Sequence, residues 1–163
     1  MIVVSNTSPL TNLAAIGQFE ILHSLYATIH IAEGVWNELN YRGERWPGCA
    51  EVAAVNWIQR HTVRNQFLMR VLRRDLDCGE SESIALALEL GADMILLDEK
   101  EGRHAAQRLG LRVVGVVGVL LDAKSHGFIA HIHPHLDALR QTAGFYLKES
   151  IYQAALILAN ETT

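Results

Sequence analysis

An unbroken apolar run, Met94-Ile95-Leu96-Leu97, stops at two acids, Asp98-Glu99. A continuous apolar run with no polar residue alternating into it suits a strand covered on both faces. Helical periodicity flanks it. Residues 80–90 carry apolar Ile84, Ala85 and Leu88, with Gly91 placed to end the helix, and residues 99–109 form a second helix closed by Gly110. A buried strand between two helices is the repeating unit of a parallel α/β sheet, and this constrains the rest of the chain more than any other feature.

The same alternation runs from the start. Residues 2–5, Ile-Val-Val-Ser, read as a strand running into Asn6-Thr7-Ser8-Pro9, where Ser8 is the expected N-cap and Pro9 the first helical residue. Leu10, Leu13, Ala14 and Ile16 follow at helical spacing up to Gly17, and residues 19–25 form a short helix. Strands are expected at 28–31, 57–63 and 112–114. Helices are expected at 33–39, 49–55, 67–72, 117–124, 134–141 and 149–158, with a polar connection at 40–48 and a turn at 76–79. The expectation is an α/β fold with a mostly parallel sheet. No repeat or linker divides it, so residues 1–163 read as one domain.

Two cysteines, Cys49 and Cys78, are too few for a disulfide framework and suit a reducing cytoplasm. The first residues lack the basic and long apolar regions of a signal peptide. The apolar stretches at 113–121 and 154–159 are interrupted by glycine or too short for a bilayer. A cytoplasmic protein without membrane attachment is expected. The formal charge of −4 does not suggest a broad nucleic-acid-binding face. Acids pooled in one place would still leave room for a locally basic rim, so net charge decides little.

In open parallel sheets the ligand site lies beyond the carboxyl ends of the strands. That singles out Asn6-Thr7-Ser8 after the first strand and Asp98-Glu99 after the 94–97 strand. Glu38, in the helix after the second strand, and Glu80 and Glu82, opening the helix before Asp98, add acids nearby. Hard cations such as Mg²⁺ and Mn²⁺ favour such oxygen donors. Each acid has a plainer explanation. Glu80 and Glu82 suit the positive end of a helix dipole, Asp98 suits a helix cap, and Glu38 suits a solvated face. Only their combination argues for a site.

The segments Val4-Ser5-Asn6-Thr7-Ser8-Pro9-Leu10, Val35-Trp36-Asn37-Glu38-Leu39, Gly79-Glu80-Ser81-Glu82-Ser83-Ile84-Ala85-Leu86-Ala87 and Ile95-Leu96-Leu97-Asp98-Glu99, with the tail from Gly110 through Gly127, occur in the order and spacing of PIN domains. The chain resembles a prokaryotic PIN subgroup often placed with toxin–antitoxin pairs, similar to VapC-like toxin ribonucleases. The resemblance spans almost the whole sequence. It implies a three-layer α/β/α sandwich around a central parallel sheet, Mg²⁺- or Mn²⁺-dependent cleavage of RNA phosphodiesters, and a small antitoxin protein as partner. Carried over by position, Asn6, Glu38, Glu80 and Asp98 take the places of the four catalytic, metal-holding residues, with Glu82 and Glu99 as neighbouring acids in reserve. Thr7 and Ser8 fall on hydroxyl positions beside the site. The departure is Asn6, where many PIN nucleases carry Asp. An amide oxygen can ligate a metal but brings no charge, and Asn6 also reads as a turn or cap residue.

Arg73, Arg74, Lys100 and Arg103, with Arg70 and Arg108, are candidate phosphate contacts, and solvated helix faces explain them equally well. His131, His133 and His135 lack the spacing of a zinc motif and read as a polar turn before a helix. Gly115-Val116-Val117-Gly118 lacks the Lys-Ser/Thr of a phosphate loop. A phosphoacceptor receiver domain also gathers acids at strand ends but wants an acidic pair where Asn6-Thr7-Ser8 stands. A PIN-like binding or scaffold domain without turnover is the main competitor to the nuclease. Trp36, Trp46 and Trp57 suit either a core or a homodimer interface.

Overall fold

The computed structural model describes residues 1–162; Thr163, the last residue of the expected domain, lies outside them. The strands are β1 (Val3–Ser5), β2 (Ile29–Ala32), β3 (Ile58–His61), β4 (Met94–Leu96) and β5 (Val113–Val114). They form one sheet in the order β3-β2-β1-β4-β5, and every pairing is parallel. The helices are α1 (Thr7–Ala15), α2 (Ile21–Tyr26), α3 (Glu33–Arg42), α4 (Cys49–Ala54), α5 (Gln66–Leu72), α6 (Cys78–Leu90), α7 (Lys100–Arg108), α8 (Val116–Ser125), α9 (His133–Gln141) and α10 (Glu149–Leu158).

Successive strand residues point to opposite faces, and both faces are buried here. Val3, Met94 and Leu96 join a core with α1, α2, α8, α9 and α10. Val4, Ile95 and Leu97 join a second core with α5, α6 and α7. This gives the three-layer α/β/α sandwich, and it explains why β4 carries no alternation: neither face meets water. The chain leaves β1 toward β2 on one side and later returns to β4 on the other. The order therefore reverses at β1 and β4, the kind of switch point where open α/β sheets open a crevice beyond the strand ends. The Asn6 amide N–H donates to the Leu96 carbonyl at 3.0 Å, tying the two strand ends together.

Local boundaries differ from expectation in instructive places. α1 begins at Thr7, so Asn6 holds the N-cap position that Ser8 was expected to hold, and Pro9 lies within the first turn rather than opening it. Asn6 makes no capping hydrogen bond; its side chain is turned elsewhere. α3 runs one turn past its expected end, to Gly43, whose φ of 88° releases the chain. The expected turn at 76–79 is instead the start of α6: Asp77 is the N-cap, accepting the Glu80 N–H at 2.8 Å, and Cys78 and Gly79 are helical. β3 is shorter than the expected 57–63 strand: Trp57, packed against Phe19 and His23, precedes it, and its pairing with β2 ends at His61 opposite Ala32, where β2 also ends. Among the described residues, no helix is long and apolar enough to cross a membrane.

Position in the two-sided core sets mutational cost. Leu96→Ala, on a strand with no exposed face, is expected to lower unfolding free energy by about 2–5 kcal/mol in urea titrations. Ile157→Ala, at a side chain 61% exposed, should stay within about 0.5 kcal/mol of the parent.

Candidate active site

The crevice at the switch point is lined by Asn6, Thr7 and Ser8 from the β1–α1 junction, Glu38 from α3, Asp77 and Glu80 from the start of α6, and Glu99 after β4. Each arrives there for a local reason. Asn6 follows the last residue of β1, and its Oδ1 accepts a long 3.4 Å hydrogen bond from the buried Ser83 hydroxyl. Glu38 lies on the inner side of α3, and its Oε2 accepts from the Thr7 hydroxyl at 2.8 Å. Asp77 caps α6 and so projects at its N-terminus. Glu80, one turn in, is buried, with Oε2 3.0 Å from where a Cβ on Gly102 of α7 would stand.

Gly79 marks the centre. A Cβ there would lie 3.2 Å from Glu38 Oε2, 3.4 Å from Asn6 Oδ1 and 3.6 Å from Asp77 Oδ1. Three oxygens from three separate segments thus surround one small space left open by a glycine. The remaining acids shape its electrostatics. Glu80 is pushed up to about 8, first by burial, then by its hydrogen bond to Asp77 and the charges of Asp77, Glu99 and Glu38. Among the described residues the crevice holds four carboxylates, and the one cation lining it is Arg42, whose Nη2 lies 3.4 Å from Glu38 Oε1. Both partners are exposed enough for water to weaken that pair.

The structure brings Asn6, Glu38, Glu80 and Glu99 into the crevice, together with Thr7 and Ser8. Asp98 is not with them. Its Oδ1 accepts the Val116 N–H at 2.9 Å at the start of α8, and it faces a neighbouring cavity. Neighbouring residues leave a strand end in opposite directions, so Glu99 reaches the crevice and Asp98 does not. Asp98 Oδ2 is buried without a hydrogen-bond partner, and burial pushes the group up to about 6 against the opposing pull of the Val116 N–H and Arg103. Glu82 does not line the crevice; its carboxylate lies against Gly34 of α3, where any Cβ would collide with it. Arg73 and Arg74 are exposed after α5 and line neither cavity; Lys100 and Arg103 line the cavity that Asp98 faces. Asp77 was hidden by its reading as a turn. The signal for it was the Asp-x-x-Glu spacing of a helix start, Asp77 to Glu80.

Among the described residues the side-chain groups of the crevice that could ligate a cation do so through oxygen: the amides of Asn6 and Asn12, four carboxylates and nearby hydroxyls. This chemistry fits a hard divalent cation rather than a soft one. Among the described residues no three His, Cys, Asp or Glu side chains already close into a metal cage. Mg²⁺ typically takes only one or two carboxylates and keeps water for its other positions, so an open, acid-lined crevice suits it.

The raised carboxyls have a measurable consequence in chelator. A carboxyl raised by folding holds a proton the unfolded chain has lost, so its stabilisation is complete below its unfolded pKa and disappears as pH rises through the folded one. The windows run from 3.8 to about 6 for Asp98 and from 4.5 to about 8 for Glu80. Melting temperature should therefore fall between pH 5 and pH 8.5, and Glu80→Gln should flatten the decline above pH 6. A Glu80→Gln profile parallel to the parent would sink this account.

A family model described as a PIN domain matches residues 2–161. Among solved structures, a PilT N-terminus domain protein from the hyperthermophilic archaeon Sulfolobus solfataricus P2 is similar, with a TM-score of 0.54 and 20% identity over 76% of this chain and 93% of that chain. At that identity the likeness speaks for the fold. No curated protein matches the sequence. PIN domains are generally metal-dependent nucleases that bind divalent cations, and the sheet order, the crevice at the switch point and the full-length match agree: this chain belongs to the PIN-domain family and has its nuclease-type fold.

Proposed function

We propose that the protein is a Mg²⁺- or Mn²⁺-dependent endoribonuclease acting at the crevice between β1 and β4. The observation that carries this is the ring of Asn6 Oδ1, Glu38 Oε2 and Asp77 Oδ1 around the open space at Gly79. Asn6, Glu38, Glu80 and Glu99 would hold the cation, with Asp77 beside them. Glu99 replaces Asp98 in this set because of the direction each side chain takes. A bound dication would lower the pKa of a water and offset charge on phosphate oxygens.

The chain's own groups prepare this chemistry. Thr7 holds Glu38 by its 2.8 Å hydrogen bond, fixing which carboxylate oxygen faces the crevice. Ser83 does the same for the Asn6 amide, orienting its oxygen inward. Without a dication Glu80 favours its protonated form, first because it is buried and then because Asp77, Glu99 and Glu38 stand near it. Loss of that proton readies Glu80 as a ligand. Asp98 contributes by position: it caps α8 and anchors the loop after β4 from which Glu99 projects.

A PIN-like binding domain without turnover is the competing reading, and the uncharged Asn6 favours it. A toxin role with a small antitoxin covering the crevice, a homodimer and a cytoplasmic location are further parts of the proposal. A short reading frame beside the gene would support the toxin role.

The test uses a mixed labelled RNA pool with Mn²⁺, Mg²⁺ or chelator. Metal-dependent cleavage is expected. Glu38→Gln and Glu99→Gln should each lower it by roughly 100-fold, within the few kcal/mol that one electrostatic group commonly supplies. Asp98→Asn, which keeps an acceptor for the Val116 N–H, should retain more activity than Glu99→Gln; the reverse order would return Asp98 to the site. Gly79→Ala separates site from fold. Alanine is favoured over glycine in a helix by about 1 kcal/mol, so melting temperature should hold or rise, while the added methyl crowds the oxygens and Mn²⁺ affinity in calorimetry drops about tenfold, a loss of about 1.4 kcal/mol. Absence of both cleavage and Mn²⁺ binding in the parent would establish the non-catalytic reading.

A further inference from the structure

On the far side of the β4 end from the acidic crevice lies a second cavity of about 720 Å³. Its composition is opposite in sign. Among the described residues Lys100, Arg103, Arg112 and Lys148 line it, against two acids, Asp98 and Asp122. The difference, four cations less two acids, is +2 in a chain whose formal charge is −4. Among the described residues none of the four cations is in an ion pair, although ion pairs form elsewhere on the surface. Arg103 spends Nη1 on the Leu97 carbonyl at 2.9 Å, which fixes its guanidinium at the strand end. Arg112 and Lys148 come from segments far apart in sequence, so no local helix-face pattern accounts for their meeting.

The cavity also has an apolar floor and an aromatic edge. Val114 of β5 and Val117 and Leu121 of α8 form the floor, and Tyr146, 81% exposed, stands at the rim. An exposed aromatic ring beside unpaired cations is the chemistry that holds bases and phosphates of a single strand. Position adds a third argument. Asp98 and Lys100 line this cavity while Glu99, between them, lines the acidic crevice. The two sites therefore meet at one residue.

We propose that this cavity binds single-stranded RNA next to the phosphate held at the acidic crevice, with Lys100, Arg112 and Lys148 contacting phosphates and Tyr146 stacking on a base. This rests on the nuclease reading and gives its substrate a second subsite, with the strand drawn across the end of β4 from a basic cavity into an acidic one. The cations supply the attraction that the acidic crevice alone would deny to a polyanion.

The test measures binding of a labelled ten-nucleotide single-stranded RNA by anisotropy in chelator, where cleavage does not run, across a salt series. Lys100→Ala with Lys148→Ala should reduce the magnitude of the log Kd against log salt slope by about 1.4, since each phosphate contact on a single strand contributes about 0.7. Tyr146→Ala should weaken binding about fivefold or more, Tyr146→Phe should restore it, and an abasic strand should be indifferent to both, as expected for stacking. Mn²⁺ affinity and melting temperature of these variants should match the parent. Parent binding that is unchanged by every cavity substitution overturns the proposal and leaves the nuclease reading intact. An oligoglutamate peptide that displaces the RNA at equal or lower concentration overturns the nucleic-acid assignment in favour of an acidic peptide. A parent that binds no RNA, with or without Mn²⁺, overturns this proposal and the proposed function together.

Discussion

Four carboxylates within one crevice repel each other, and much of the structure serves to hold them together despite it. Glu80 shows the strain of that arrangement, since burial and three acidic neighbours hold its proton up to about 8. Such a cluster survives only where the backbone beneath it cannot spread. Here the backbone is set by two parallel strands buried on both faces, β1 and β4, joined at their ends by the Asn6 N–H to Leu96 carbonyl bond. Hydrophobic burial, directionless in itself, fixes where the acids stand by fixing the strand ends that carry them.

Two glycines make the crevice possible in the space between elements. Gly79 leaves the opening around which Glu38, Asn6 and Asp77 stand, and Gly102 lets α7 approach closely enough for Glu80 to lie against it. Neither needs an unusual backbone angle; both are glycine because a Cβ would occupy space that oxygen atoms use. Asp98 complements them from below. Its bond to the Val116 N–H ties the end of β4 to the start of α8 and so sets the path of residue 99. The same carboxylate faces the basic cavity, which places a negative charge beneath Lys100 and Arg103 without pairing with either.

The sequence disclosed the features that depend on long, strongly patterned segments. β4 was legible because four consecutive apolar residues have no solvent-facing explanation, and α6 because its apolar spacing continues to a glycine that takes a φ of 60°. Asn6 and Glu80 were legible because polar residues at a strand end and a helix start stand near such a crevice, whereas Glu38, inside α3, was picked out as a ligand only by the family resemblance. Three features were hidden, each for a physical reason. The choice between Asp98 and Glu99 depends on a half-turn of backbone after β4, and composition cannot resolve which of two adjacent acids faces which side. Asp77 looked like part of a turn because a helix cap and a site residue share one sequence signature. The basic cavity gathers Lys100, Arg112 and Lys148 from three elements, and no window along the chain contains them together.

Asn6 acquires a physical meaning in this setting. At the N-cap of α1 an asparagine would ordinarily turn its side chain onto the helix, yet here it makes no such bond and its oxygen is oriented into the crevice by Ser83. An aspartate in its place would add a fifth carboxylate to a crevice where Glu80 is already pushed toward its protonated form. The amide supplies the oxygen and omits the charge. Under the proposed function this exchanges some attraction for a dication against a crevice that is easier to keep folded without one. The neutral donor then falls on the strand nearest the centre of the sheet, where burial is deepest and a further charge would cost most. Of the charged donors, Glu38, Asp77 and Glu99 are more open to water, and Glu80, the one that is buried, is the one whose proton is held most firmly.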